Sequence, residues 1–122
     1  MKTFTLLAVP FTMLAVLLVA RPASASTTAD CQALLGVLSA DTAAATYLRG
    51  DLGLKTEAQL LQHLSKTSSE LDANDTRDAL KQMGNFSTTL DRAVGAAKID
   101  AADAAALQIE ADGVVACIQQ IQ

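Results

Sequence analysis

The sequence predicts an all-α fold, a small up-down bundle of four or five helices that follows a cleavable leader. Three observations predict it. Apolar residues beyond residue 26 recur at three- and four-residue spacing. Alanine and leucine are abundant and β-branched runs are lacking, and alanine loses no side-chain entropy on entering a helix. Thr and Asp stand just ahead of the apolar segments, where a side-chain oxygen can accept from the first free backbone N–H groups.

The N-terminal segment comes first. Lys2 supplies a positive start, and Phe4 to Ala20 is apolar apart from Thr5 and Thr12. Ala23-Ser24-Ala25 offers the two small side chains that a signal peptidase accepts, and Pro22 breaks the helix just upstream. Cleavage is expected between Ala25 and Ser26, so residues 1–25 read as a signal peptide and residues 26–122 as one helical domain. An uncleaved membrane anchor is the alternative, because the apolar run approaches the roughly 17–25 residues needed to span a bilayer. A lipid anchor on Cys31 is disfavoured by the polar Thr28 and Asp30 before it. The expected location is extracellular, or periplasmic in a Gram-negative source.

The mature chain is acidic. Lys2 and Arg21 leave with the leader, so the 9 basic side chains of the full sequence fall to 7 against 13 acidic ones. A net charge of about −6 repels phosphate backbones and anionic lipid, which disfavours nucleic-acid and membrane partners. Bulky aromatics are scarce, with Tyr47 and Phe86 alone beyond the leader. A core built from Ala and Leu is thin, and a covalent staple would matter. The two cysteines, Cys31 and Cys117, lie near opposite ends of the mature chain. In an oxidising compartment an even pair reads as a disulfide. An intrachain bridge is the favoured reading, with an interchain bridge or two buried thiols as alternatives.

The first mature helix starts at Thr27 or Thr28 and carries Cys31, Leu34, Leu35 and Leu38 on one stripe. Asp41 reads as a fresh N-cap for a short segment from Thr42 to Arg49, ended by Gly50, with Gly53 loosening the connection. Thr56 reads as the cap of the next helix, with Ala58, Leu61, Leu64, Ser68 and Leu71 as its inner row and Leu60 adjacent. Asp72 to Asp75 form a turn. Asp75 or Thr76 then caps a long helix with Ala79, Leu80, Met83, Phe86, Leu90, Ala93, Val94 and Ala97 inward. Gly84 within it calls for close helix packing as compensation. Asp100 caps the last helix, whose inner row is Ala104, Leu107, Ala111, Val114, Ile118 and Ile121. Both cysteines fall on the inward faces of the first and last helices.

The pattern Leu61-Gln62-His63-Leu64, Leu71, Asn74, Ala79-Leu80, Phe86, Leu90, Ile99, Ala104, Leu107 and Ala111 resembles the FIMAH domain, a helical module at the C-terminus of many bacterial secreted proteins. With Cys31 to Leu35 as an opening helix, the resemblance extends over about residues 30–119. Asn74 stands where the family has glycine, and His63 where it has lysine. The cysteine pair is not part of the family pattern. The resemblance implies a helical fold, export and an appended interaction role without established catalysis.

Catalytic and metal chemistry find little support. A zinc site needs several convergent ligands, yet His63 is the one histidine and the cysteines are expected to be oxidised. No metal or other cofactor is expected. Asp72, Asp75 and Asp78 lie three apart around the turn, but helix-dipole complementation explains them better than calcium. Ser65, Ser68 and Ser69 lie near His63 without a group to orient it, so a hydrolase is not expected and the chain reads as a non-enzyme. Tyr47 and His63 are the weak ligand-binding candidates, as side chains able to ligate haem iron; the alternative packs Tyr47 on the bundle rim and turns His63 to solvent. The expected function is a secreted, non-catalytic interaction or accessory module, monomeric, with an unidentified protein partner. A small apolar-ligand carrier and a secreted enzyme inhibitor are the alternatives.

Overall fold

Capping chemistry sets the helix boundaries in the computed structural model, which describes residues 26–122. The signal peptide read in residues 1–25 lies outside the described residues. Helix α1 (Thr28–Ala44) opens on a capping box. The Thr27 hydroxyl accepts from the Asp30 N–H at 3.2 Å and the Asp30 carboxylate accepts from the Thr27 N–H at 2.9 Å. Helix α2 spans Asp51–Asp72. Helix α3 (Thr76–Gly95) is capped by Asp75, which accepts from the Asp78 N–H at 3.0 Å. Helix α4 (Ala101–Ile121) is capped by Asp100, which accepts from the Asp103 N–H at 3.1 Å.

Helices α2 and α3 end alike. Each closes with a left-handed residue, Asn74 at φ 60° and Ala97 at φ 57°. The next N–H then reaches back five residues, Asp75 to Glu70 O and Lys98 to Ala93 O, both at 2.8 Å. Asn tolerates that conformation well.

Among the described residues four helices form, not five. Asp41 caps nothing, because Thr42 is fully buried and continues the row Cys31, Leu35, Leu38, Thr42 of α1. The expected segment from Thr42 to Arg49 is therefore the last turn of α1 and part of the connection to α2. Thr56 likewise lies inside α2, which starts five residues earlier at Asp51 with Gly50 as N-cap. Its inward row is Gly53, Thr56, Leu60, Leu64, Thr67 and Leu71, and Ala58 faces solvent. Two core threonines satisfy their hydroxyls within the helix. Thr56 donates to Leu52 O and Thr67 to His63 O, at 3.1 and 2.8 Å.

The helices alternate in direction, each packing on its chain neighbours, and α4 closes the ring against α1. Leu35, Leu38, Leu60, Leu64, Leu71, Met83, Phe86, Leu90, Leu107 and Ile118 fill the centre, with Ala79, Ala93, Ala104 and Ala111 where helices approach closely. Val94 and Ala97, expected inside, are exposed, and Leu34 is 44% exposed.

Both ends of the bundle are fixed. At one end the Cys31–Cys117 disulfide joins α1 to α4 with Cα atoms 5.6 Å apart. At the other end the two connections clasp through an antiparallel bridge between Tyr47 and Ile99. The Leu48 N–H donates to Lys98 O at 2.8 Å, and the Asp100 N–H to Thr46 O at 2.9 Å. The Arg49 guanidinium donates to Ala96 O, the carbonyl at the end of α3, at 2.9 Å.

Two glycines of this frame have opposite standing. Gly53 lies under the clasp, where a Cβ would fall 2.2 Å from Leu48 O and 3.0 Å from Tyr47 Cβ. It permits close approach of the backbone and does not loosen the connection. Gly84 faces open solvent and touches no neighbouring helix, so the expected packing compensation is missing. Gly53→Ala should destabilise the fold by about 1–3 kcal/mol through displacement of the clasp. Gly84→Ala should stabilise it by up to about 1 kcal/mol through helix propensity. Paired urea titrations would check both signs.

Candidate functional site

Tyr47 and His63 do not converge. Tyr47 sits in the α1–α2 connection, beside Gly53 at the start of α2. His63 lies ten residues further along that helix, roughly 15 Å at the helical rise. The two side chains cannot ligate a single metal centre in this fold. Each has a structural engagement. The Tyr47 hydroxyl donates to Thr42 O at 2.6 Å, holding the last turn of α1. His63 is half-buried against α3, with Nε2 3.3 Å from Thr89 Oγ1 and Nδ1 buried without a partner.

Burial pushes the Tyr47 phenol up to about 12, and the negative charges of Glu57 and Asp103 add to the effect. Because the folded value lies above the unfolded value near 10, the fold favours the neutral phenol. That contribution is fully present below about pH 10 and is lost as pH rises toward 12. Tyr47 is the sole tyrosine of the chain. Tyrosinate absorbance should therefore titrate near 12 in the native protein and near 10 in denaturant, and Tyr47→Phe should reduce the alkaline loss of stability.

The serines near His63 serve a different contact. Ser68 Oγ donates to Gln32 Oε1 at 2.9 Å, while Gln32 Nε2 donates to Ser68 O and Asp72 Oδ1, both at 3.0 Å. Gln32 thus ties α1 to the last turns of α2. Ser65, Ser68 and Ser69 all border the α1 side of α2, whereas His63 faces α3. Asp72 is engaged by Gln32, and the carboxylates that approach one another are Glu70, Asp75 and Asp78, within 4.8 Å. Asp75 is the N-cap of α3 and Asp78 lies in its first turn, where negative charge complements the helix dipole.

An extended concave surface runs between α1 and α4. Near the disulfide it forms an open groove of about 540 Å³ lined by Leu34, Val37, Gly113, Ala116 and Cys117, with Asp30 at its edge. Gly113 and Ala116 carry almost no side chain and so leave the backbone of α4 open along it. Toward the clasp a second hollow of about 240 Å³ continues between the same helices, lined by Asp41, Ala44, Asp103, Ala106 and Glu110. Val37 is 56% exposed, and Ile109, one turn before Gly113, is 73% exposed. Sequence periodicity assigned Leu34 to the core and passed over Val37 and Ile109. The signal was present in α1 and α4, which are apolar nearly all round.

Compared with known families, the chain matches the FIMAH domain over residues 44–116, more than half of its length. The chain belongs to the FIMAH domain family. The FIMAH match takes in α2, α3, all three connections and most of α4. It begins at the end of α1, later than the residue 30 expected, and both disulfide cysteines fall outside it. Most of the α4 wall of the groove, up to Ala116, is therefore FIMAH-domain sequence, and nearly all of the α1 wall precedes it. No curated protein and no solved structure matches the chain.

Proposed function

We propose that this FIMAH-domain protein is a secreted, non-catalytic interaction module that binds a protein partner through the outer surface of its bundle. The observation that carries the reading is the apolar exterior of α1 and α4, where Leu34, Val37 and Ile109 stand exposed on a frame pinned at both ends. Exposed apolar side chains on rigid helices are suited to recognition with little loss of conformational freedom. The disulfide supports residence in an oxidising compartment, as does the leader read in residues 1–25. Asp30, Asp75 and Asp100 are engaged as helix caps, and Tyr47 braces the end of α1. The open form of the groove suits a macromolecular surface better than an enclosed small ligand.

The test is chemical cross-linking of the oxidised protein to the exported proteins of its source, followed by reconstitution of each captured pair from purified components. A stoichiometric complex that dissociates when the bundle is unfolded is the expected result. Solvent extraction of a bound apolar small molecule, with no protein complex reconstituted, would replace this reading with the carrier alternative.

A further inference from the structure

Basic side chains are segregated in this bundle: of the thirteen carboxylates, the eight on α2, α3 and the connections are nearly balanced by seven cations there. Helices α1 and α4 carry five acidic residues and no lysine or arginine. Every basic side chain from residue 26 onward lies on α2, α3 or their connections. The α1–α4 groove is thus apolar in its length and negative at its ends, with Asp30 at one and Asp41, Asp103 and Glu110 at the other. Glu110 Oε1 is buried there with no hydrogen-bond donor.

Resting on the interaction-module reading, we infer that the α1–α4 groove seats an amphipathic helix of a partner protein, its apolar stripe over Val37 and Gly113 and a lysine or arginine reaching the Asp41–Asp103–Glu110 end. The groove follows two antiparallel helices for roughly 20 Å, from Asp30 to Ala44 at the helical rise, which suits a third helix of about 15 residues. Small side chains at Gly113 and Ala116 let a helix backbone approach closely. A cation at the acidic end would supply the donor that Glu110 Oε1 lacks. Burial and the neighbouring Asp41 carboxylate push the Glu110 carboxyl up, a cost that an incoming cation relieves. A second copy docked through the same face brings five more carboxylates and no cation, so self-pairing is opposed. Anionic lipid is repelled for the same reason.

Selection of a displayed library of helical peptides, each about 15 residues long, on the oxidised protein tests the inference. Enriched sequences should combine a leucine-rich stripe with terminal lysine or arginine. Val37→Asp should weaken their binding by about tenfold or more, as loss of one buried apolar contact predicts. Asp41→Asn with Glu110→Gln should weaken basic peptides and blunt their salt dependence. Leu54→Asp, on an exposed position of α2, should change neither the fold nor the binding. Enrichment of acidic or uncharged helices, peptides that bind the Val37→Asp protein equally well, or no enrichment at all would overturn the inference. So would a dimer in sedimentation that Val37→Asp dissolves. A reconstituted partner insensitive to Val37→Asp would defeat the groove and leave the module reading standing; failure to reconstitute any protein partner would defeat that reading itself.

Discussion

Reduction of the Cys31–Cys117 bridge should lower the thermal midpoint by on the order of 20 °C while leaving the helical circular dichroism at low temperature unchanged. The bridge closes a loop 86 residues long, most of the described chain. Chain-entropy reasoning assigns such a loop about 4–5 kcal/mol, against a typical total stability of about 5–15 kcal/mol. The native packing needs little change on reduction, because both sulfurs already lie inside the bundle. The effect should therefore act chiefly on the unfolded ensemble. In urea, the reduced protein should unfold at a lower midpoint with a steeper dependence on denaturant, since an uncrosslinked chain exposes more surface. A double Cys31→Ala, Cys117→Ala variant should behave like the reduced protein. An unchanged midpoint would mean that the bridge restrains little of the denatured chain.

Phe86→Ala should cost about 3–5 kcal/mol, the range for truncating a fully buried aromatic. Phe86 is the largest fully buried side chain of the described residues and stands at the middle of α3. Ala79, Ala93, Ala104 and Ala111 add little bulk to this core, so Phe86 supplies a large share of its volume. Differential scanning calorimetry should show a midpoint at least about 15 °C lower. Combined with reduction of the disulfide, the substitution should abolish a cooperative transition at room temperature. Phe86→Leu keeps most of the volume and should recover more than half of the loss.

The legible parts of this fold are those where one residue has one physical option. Asp75 and Asp100 stand immediately ahead of apolar rows, and both cap as their positions require. The inward row of α3 could be read from spacing because its other face is charged. The row of α2 was misplaced for a specific reason. Threonine counts as polar in a periodicity argument, yet Thr56 and Thr67 bury their hydroxyls by bonding to the preceding turn, and this rotates the true core face away from Ala58. Thr42 also counts as polar yet is fully buried, its hydroxyl without a partner, and it made Asp41 look like a cap. Gly53 was legible as a breaker but not as a contact, because the clasp that crosses it depends on a pairing between residues about fifty positions apart.

The candidate surface was the least legible feature, and for a related reason. Hydrophobic periodicity selects an inward face only when the outward face is polar. In α1 the residues flanking the core row are Ala33, Leu34, Gly36 and Val37, and in α4 they include Ile109, Gly113 and Ala116. With apolar residues on both sides, the spacing could not separate Leu35, which is buried, from Leu34, which is not. Tyr47 and His63 attracted notice as rare residue types, but rarity in composition says nothing about proximity; the disulfide pair could be read because export chemistry constrains it independently of packing.

The confinement of the cations of the described residues to α2, α3 and the clasp gives the bundle a permanent electric moment directed across its width. Such a molecule does not meet a positively charged surface at random. Within a screening length of about 10 Å at ~0.1 M salt, the field turns its α1–α4 side forward before any atoms touch. Productive encounters with a basic partner are then a larger fraction of all collisions, and that advantage fades as the ionic strength rises.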